Sequence, residues 1–364
     1  MTGLCSSTVE KTERLGYNER MTANDFTFPL DHPGHGRPHD YFGRKTIGDP
    51  LIAADLLRHY TQPTIAEYVD LDRLQAEPTH FFGPTQFLTG PKEVILDVPY
   101  VARFRDDAWK SEVLMILEHK SSPDLFVPLQ LATQAMLSLY KRWTDAGRPP
   151  SRQKFKLPMP LMVLVYCGAE ELDDETLCFQ EIFEHVPESL KMFVPQFHLL
   201  VSNLRRFDYE YLPGRPETQA TVETMKRSFD GTLAERLSGV LGRMEAIPLD
   251  DRIMELVGTI AWFGGCVADI VPARIVEAVT NVIKGQKGIK MTETVQKGIF
   301  SQGIERGKLE EKINKILKLL QIRHKQVPDA IAAKLNSRTD LIALESLFEL
   351  AAQCNSIEEF TDAL

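Results

Sequence analysis

The chain has 364 residues, of which 43% are apolar and 26% charged, with 42 Lys and Arg against 51 Asp and Glu. This composition is typical of a globular chain with two or three domains of about 100–200 residues, and it excludes collagen-like and disulfide-scaffold proteins. The net charge of −9 argues against a protein that coats nucleic acid by bulk electrostatics. The longest apolar runs, residues 157–166 and 257–267, are too short for a membrane span of about 20 residues.

The cysteines and the first residues bear on the compartment. The five cysteines are widely scattered without a CxxC pair, so we expect reduced thiols in a cytoplasmic protein and no structural zinc site. Residues 1–30 lack the charged and apolar segments of a secretory signal. Residues 1–35 are rich in Thr, Ser, Asn, Gly and Pro, and we interpret them as a disordered leader.

The first patterned segments predict a helix followed by a hairpin. Residues 39–60 have the periodicity of a helix, whereas Gly and Pro recur through residues 61–91, which we interpret as irregular chain. Residues 93–104 and 112–118 are short runs rich in Val, Ile, Leu and Tyr with charged residues between them. This pattern is typical of a β-hairpin.

A helix and two further strands complete the predicted core. Residues 157–166 form a nearly continuous apolar run, typical of a strand buried on both faces, and residues 197–202 predict another strand. The helix before them has apolar side chains at helical spacing, which we expect on its buried face: Leu129, Ala132, Met136, Leu139 and Trp143. The order helix, strand, strand, helix, strand, strand predicts an α/β fold with a mixed sheet.

Beyond residue 214 the pattern predicts helices alone, so we expect an all-helical C-terminal extension. The predicted helices cover residues 237–244, 252–263, 273–283, 303–323 and 340–354. We divide the chain into a leader, an α/β domain, a helical region and a charged helical tail, at residues 1–35, 36–212, 213–290 and 291–364.

Three polar residues end the apolar runs of the predicted hairpin. Asp97 follows Val-Ile-Leu, and Glu118 follows Val-Leu-Met-Ile-Leu. Side chains at i and i+2 of a strand share a face, so Glu118 and Lys120 point the same way, and Asp97 on the neighbouring strand can meet Glu118. Two carboxylates form an oxygen-ligand site suited to Mg²⁺ or Mn²⁺. A nearby ammonium can orient water and stabilise charge on a phosphodiester transition state.

The alternative is a strand end at which Glu118 and Lys120 are simply solvated, since such triplets are common. The apolar residues before both carboxylates favour a site, because a buried carboxylate costs free energy unless a metal ion or partner compensates. His119 points oppositely and is interpreted as a packed histidine, and Cys167 as a small core residue. The chain has no GxxxxGK[ST] motif, so ATP dependence is not indicated.

Several blocks resemble a known family. They are HDYF at 39–42, ILDVPY at 95–100, LEHKSSPD at 117–124, PLQL at 128–131, LPMPL at 157–161 and VYCG at 165–168. Together they are similar to the recombination-promoting nuclease/"putative transposase" family of the PD-(D/E)XK nuclease superfamily, over residues 39–205. The helical C-terminal region also resembles the tails of that family.

The resemblance implies metal-dependent DNA cleavage on a restriction-endonuclease-like core. Carried over by position, Asp97 and Glu118 bind the metal ion, Lys120 is the catalytic lysine and Asp40 is an accessory acid. Family members often have Gln where this chain has Lys120, and Lys matches the wider superfamily better.

The helix after the predicted site offers two accessory residues. Gln130 and Gln134 are one helical turn apart, so they share a face that can reach the site or a phosphate. The alternative is that both glutamines lie on a solvated face.

Two basic segments are candidates for contact with DNA. Residues 141–156 hold one acid and six bases: Lys141, Arg142, Arg148, Arg152, Lys154 and Lys156. Residues 284–325 hold eleven Lys or Arg and four Glu, whereas six acids and no base follow Arg338. Such a tail binds DNA, pairs between the chains of a homodimer, or is a solvated helix.

We therefore expect a Mg²⁺-dependent (or Mn²⁺-dependent) deoxyribonuclease, associated with recombination or a mobile element. Its expected partner is DNA, with no membrane contact and with a homodimer formed through the C-terminal helices. Two alternatives remain at this point. One is a DNA-binding transposase-like protein whose nuclease site is residual, and the other is a helical oligomerisation protein.

Overall fold

A computed structural model describes most of the chain from residue 38 onwards. The described residues are 38–82, 93–106, 111–149, 155–172, 177, 179–183, 186–268, 270–325, 327–336, 338, 340–354 and 356–364. The predicted leader, residues 1–35, lies outside them.

Up to residue 203, the described part of the chain contains seven strands and four α-helices. The helices are α1 (Pro38–Ile47), α2 (Pro50–His59), α3 (Pro63–Tyr68) and α4 (Val127–Asp145). The strands are β1 (Gln75–Ala76), β2 (His80–Phe82), β3 (Glu93–Ile95), β4 (Val98–Arg103), β5 (Glu112–Lys120), β6 (Met159–Tyr166) and β7 (Leu199–Asn203).

Eight further α-helices follow in the described part of the chain. They are α5 (Pro216–Asp230), α6 (Leu233–Gly242), α7 (Asp251–Val267), α8 (Pro272–Val282), α9 (Gly285–His324), α10 (Asp329–Asn336), α11 (Leu341–Gln353) and α12 (Ile357–Asp362).

Five strands form a mixed sheet in the order β1-β4-β5-β6-β7. Strand β4 is antiparallel to β1 and β5, whereas β6 is parallel to β5 and β7. Parallel neighbours need a long crossover connection, which α4 supplies between β5 and β6. The predicted α/β fold with a mixed sheet and C-terminal helices is therefore confirmed.

The central strand β5 packs against two cores, because its side chains alternate between the faces of the sheet. Met115 and Leu117 belong to a large cluster that includes residues of α1, α2 and α5–α8. Ile116 belongs to a smaller cluster with Leu131 of α4 and Tyr166 of β6. Even-numbered residues of β5 thus face α4, and odd-numbered residues face the helical side.

The C-terminal helices divide between two cores. The large cluster on the sheet extends through α5–α8 to Val295 in α9, so the region predicted as 213–290 packs directly on the α/β part. The end of α9 forms a separate cluster with α10, α11 and α12. There Lys312 pairs with Glu345, and Arg323 donates to the Cys354 carbonyl at 2.7 Å, beyond the end of α11. The proposed domain boundaries stay a prediction.

None of the described helices combines the length and apolar character that crossing a membrane requires.

Two predicted elements are divided in the structure. The helix predicted at 39–60 is α1 and α2, separated where Asp49 accepts the Leu51 N–H at 2.8 Å and Pro50 begins the new helix. The prediction of one continuous strand at 93–104 was wrong, because the structure has two strands there. The first, β3, pairs with β2, the second, β4, pairs with β5, and Asp97 lies between them.

Residues 61–91 are not irregular throughout. They include α3, β1 and β2, and residues 83–91 lie outside the described part of the chain. Pattern analysis also missed α5, α10 and α12 and placed the start of α9 too late.

The buried face of α4 differs from the predicted one. Leu129 and Met136 are each 42% exposed, so their assignment to the core was wrong. Ala132 and Leu139 of the predicted set are buried, and the helix also buries Val127, Leu131 and Ala135, which follow one another at i, i+4 and i+8. Both sets have helical spacing, so periodicity within the segment does not decide which apolar residues are buried.

Close packing of α1 on β5 gives the first testable prediction. A methyl group on Gly43 would lie 2.5 Å from Cγ and Nδ1 of His119. We expect Gly43→Ala to lower the free energy of unfolding by about 1–3 kcal/mol, because the buried ring must shift. Urea denaturation followed by circular dichroism measures the change.

Gly239 in α6 is the matched control, since a methyl group there meets nothing within 4 Å. Gly239→Ala should raise the free energy of unfolding by about 0.5–1 kcal/mol through helix propensity. Equal stability of Gly43→Ala and the parent would contradict the packing.

Candidate active site

Asp97, Glu118 and Lys120 lie at one end of the β4–β5 pair. The register pairs Val98 with Leu117. In an antiparallel pair the residue before Val98 and the residue after Leu117 lie on the same side of that rung, so Asp97 and Glu118 occupy neighbouring positions. Contacts of Asp97 and Lys120 with α4, given below, place these two residues on the face of the sheet that α4 covers. Strand alternation places Glu118 on the same face as Lys120.

Asp97 is held from two helices. Its Oδ1 accepts from Arg44 of α1 at 2.9 Å, and its Oδ2 accepts from Nε2 of Gln134 in α4 at 2.8 Å. The Gln134 amide oxygen also accepts the backbone N–H of Asp97, at 3.3 Å. The Asp97 side chain is 13% exposed, so it is held in place while its edge stays open to solvent.

Glu118 is the more buried carboxylate, at 6% exposed. Its Oε1 lies 3.2 Å from Nζ of Lys120. Its Oε2 is buried and has no hydrogen-bond partner among the described residues. A buried acceptor without a donor costs free energy, so this oxygen calls for a functional or ligand-related explanation.

Lys120 is surrounded by three acceptors. Besides Glu118, its Nζ lies 3.0 Å from the amide oxygen of Gln130 and 3.3 Å from Oδ2 of Asp124. The three N–H groups of an ammonium match three such partners. Seven side chains are thus joined by direct contacts or by the strand register, and we call them the polar cluster: Arg44, Asp97, Glu118, Lys120, Asp124, Gln130 and Gln134.

His119 lies on the other face of the sheet, as strand alternation predicts. Its Nε2 is 3.1 Å from Sγ of Cys167, and burial lowers the pKa of the imidazole to about 3. Burial also raises the pKa of the Cys167 thiol. A neutral imidazole beside a protonated thiol, both in the core, agrees with packing roles for these two residues.

The donor set of the polar cluster fits a hard divalent cation. Asp97 and Glu118 supply carboxylate oxygens, the ligand type that Mg²⁺ prefers, and the buried Oε2 of Glu118 has spare acceptor capacity. Nowhere in the described ranges do three or more His, Cys, Asp or Glu side chains group to hold a metal ion. A two-carboxylate site remains compatible with Mg²⁺, which usually keeps several waters.

Of the three predicted accessory residues, two contact the proposed site directly. Gln130 and Gln134 both reach the cluster, whereas Asp40 lies in the first turn of α1, one turn before Arg44. It is Arg44 that reaches Asp97. The role of Asp40 stays a prediction.

Sequence reasoning missed Arg44 and Asp124 as members of the cluster. A signal existed for each of them. Arg44 follows Asp40 by four residues in a helix, and Asp124 belongs to the LEHKSSPD block.

The basic segment at 141–156 is only partly described. Lys141 pairs with Asp145 at 2.5 Å, and Arg142 pairs with Glu77 at 2.8 Å. Arg148 and Lys156 are exposed, whereas Arg152 and Lys154 lie outside the described residues. Contact of this segment with DNA stays a prediction.

Comparison with known families identifies the class of protein. Residues 37–252, well over half of the chain, match the model of the family described as "Putative transposase, YhgA-like". The chain is thus a transposase-like protein. It belongs to the YhgA-like transposase family, which is PD-(D/E)XK-like, so the resemblance found in the sequence is confirmed. Neither the curated proteins nor the solved structures that were searched gave a match.

Glu118 and Asp55 give a matched test of what the polar cluster costs in stability. Asp55 is 2% exposed, and both of its oxygens are bonded, to Arg58, Arg215 and Thr218. Asp55→Asn should lower the free energy of unfolding by about 2–4 kcal/mol, because Arg58 and Arg215 lose the buried carboxylate that binds both of them.

Glu118→Gln should leave the free energy of unfolding unchanged or raise it by up to about 1 kcal/mol. The change removes a buried charge whose Oε2 has no donor in the described part of the chain. Urea denaturation at pH 7 measures both variants. A loss in Glu118→Gln as large as that in Asp55→Asn would assign Glu118 a structural role.

Proposed function

We propose that this protein is a metal-dependent DNA endonuclease. The observation that carries the proposal is the polar cluster, in which two carboxylates at neighbouring positions share one face of the sheet with a lysine ammonium. Membership of a transposase-like family supports DNA as the substrate and a role in a mobile element or in recombination.

Asp97 and Glu118 are the residues that would hold Mg²⁺ or Mn²⁺. When bound, the ion supplies Lewis acidity and a water of lowered pKa. Lys120 brings positive charge to the phosphate, and Asp124 and Gln130 fix the direction of its ammonium. Gln134 and Arg44 hold the Asp97 carboxylate in place, and Arg44, 52% exposed, also offers a guanidinium to a phosphate.

The fold supports the same proposal at a coarser level. A helix before a mixed sheet, an antiparallel pair that carries the acids and a crossover helix to a parallel strand agree with a restriction-endonuclease-like core. We propose that core for residues 38–203. The helices that follow extend the large hydrophobic cluster.

Cleavage of supercoiled plasmid in Mg²⁺ tests the proposal. We expect the parent to nick the plasmid, and Asp97→Asn and Lys120→Met to lower the rate by about 100-fold or more, because each removes charge that acts on the transition state. Gel densitometry over time gives the rates.

Glu235→Gln is the control, because this residue is an exposed acid on α6, outside the polar cluster and the basic segment. It should cut like the parent. If Asp97→Asn and Lys120→Met also cut like the parent, the polar cluster does not catalyse cleavage. Metal-independent DNA binding without any product would instead favour a residual site.

The exposed bases after α4 give a separate prediction about binding. If Arg148 and Lys156 contact phosphates, each change to Gln should reduce the slope of log K against log salt concentration by about 1. Fluorescence anisotropy with a labelled duplex in EDTA, at several salt concentrations, measures the slope. Arg236→Gln is the control, since this exposed base lies on α6 outside the segment. An unchanged slope in Arg148→Gln and Lys156→Gln would show that these two residues do not contact DNA phosphates.

A further inference from the structure

Three large apolar side chains are exposed beside the polar cluster, at the start of α4. Leu125 is 58% exposed, Phe126 55% and Leu129 42%. We call them the apolar edge. Exposed apolar groups that adjoin one another beside a polar site commonly mark a binding surface.

The apolar edge is tied to the proposed catalytic lysine by one residue. Oδ1 of Asp124 accepts the backbone N–H of Phe126 at 2.9 Å, while Oδ2 of Asp124 lies 3.3 Å from Nζ of Lys120. The same carboxylate therefore holds the ammonium and fixes the backbone that presents the phenyl ring. A ligand bound at Lys120 therefore lies close to the backbone that carries Phe126.

Phe126 also lies in line with the two glutamines of α4 that contact the polar cluster. Phe126, Gln130 and Gln134 follow one another at i, i+4 and i+8, and the Phe126 carbonyl accepts the Gln130 N–H at 2.9 Å. Residues four apart on a helix are neighbours on its surface. Gln130 contacts Lys120 and Gln134 contacts Asp97, so Phe126 continues this row at the Lys120 end of the polar cluster.

We propose that the apolar edge receives an unpaired nucleobase next to the phosphate held at Lys120, with Phe126 as the stacking residue. The inference rests on the proposed DNA substrate and narrows it to DNA that is single-stranded or locally unpaired. An aromatic ring stacks on any base, and apolar side chains that enter a duplex act by separating base steps.

The position of the edge favours a base over a protein surface. A protein partner that docks on the apolar side chains alone would make no use of the Lys120 ammonium, which Asp124 links to the Phe126 backbone. A nucleotide instead brings a phosphate and a base together, and the structure provides a cation and an aromatic ring joined through Asp124.

Binding without metal tests the inference apart from cleavage. Fluorescence anisotropy in EDTA compares a labelled single-stranded oligonucleotide with the same strand in a duplex. Phe126→Ala should weaken single-strand binding by about tenfold, the effect of one lost base–aromatic stack, and duplex binding much less. Phe126→Trp should keep the parent's affinity for the single strand.

Phe193→Ala is the matched control, because Phe193 is also an exposed phenylalanine, at 74%, at the end of a 3₁₀ turn (Glu188–Phe193). It should bind both DNAs as the parent does. Circular dichroism confirms that each variant is folded.

Two results would overturn the inference. In one, Phe126→Ala binds the single strand as tightly as the parent, or its affinity for the single strand and its affinity for the duplex fall by the same factor. In the other, Phe126→Ala changes only the mass measured by light scattering, which would assign the edge to contact between chains.

The two proposals can fail separately. If the parent nicks plasmid but Phe126→Ala binds the single strand as tightly as the parent, only the stacking role of Phe126 is rejected. If Phe126→Ala loses affinity for the single strand alone but the parent does not nick plasmid, only the nuclease activity is rejected.

Discussion

The register of β5 is the constraint on which the arrangement depends. Val98 pairs with Leu117, so Glu118 and Lys120 face α4 while His119 enters the opposite core beside Cys167. A slip of one residue would exchange the two sets, moving the two charges into the core and the imidazole towards α4. Apolar residues on both faces of β5 specify this register, because a slip would also misplace every one of them.

The buried charges of the protein are of two kinds. Glu223 is bound by Arg227 and Arg243, each at 2.6 Å, and Asp55 has donors on both oxygens. These carboxylates join helices to one another, Asp55 linking α2 to α5 and Glu223 linking α5 to the end of α6. Glu118 differs, because Oε2 lacks a donor among the residues described. Neutral groups such as Nδ1 of His119 and Oγ of Ser202 are also buried without a hydrogen-bond partner in the described part of the chain, but a carboxylate oxygen carries charge and costs more free energy when it has no donor.

Helix α4 serves the structure in three ways. It connects two parallel strands, it buries Val127, Leu131 and Ala135 on the sheet, and it holds the polar cluster through Gln130 and Gln134. Leu129 and Met136 stay exposed, at 42% each. A helix of 19 residues has more apolar positions than one sheet face can cover. Which apolar residues of α4 are buried depends on the neighbours that the helix meets, not on its own periodicity.

The amino-acid sequence by itself determined the hairpin, the crossover helix, β6 and the shared orientation of Glu118 and Lys120, because strand alternation and apolar runs are local properties. Only the tertiary structure decided that the predicted strand is interrupted at Asp97, that Arg44 of α1 binds the Asp97 carboxylate, and that α5–α8 share the core of the sheet. Those features depend on contacts between residues far apart in the chain, and the spacing of residues within one segment carries no information about them.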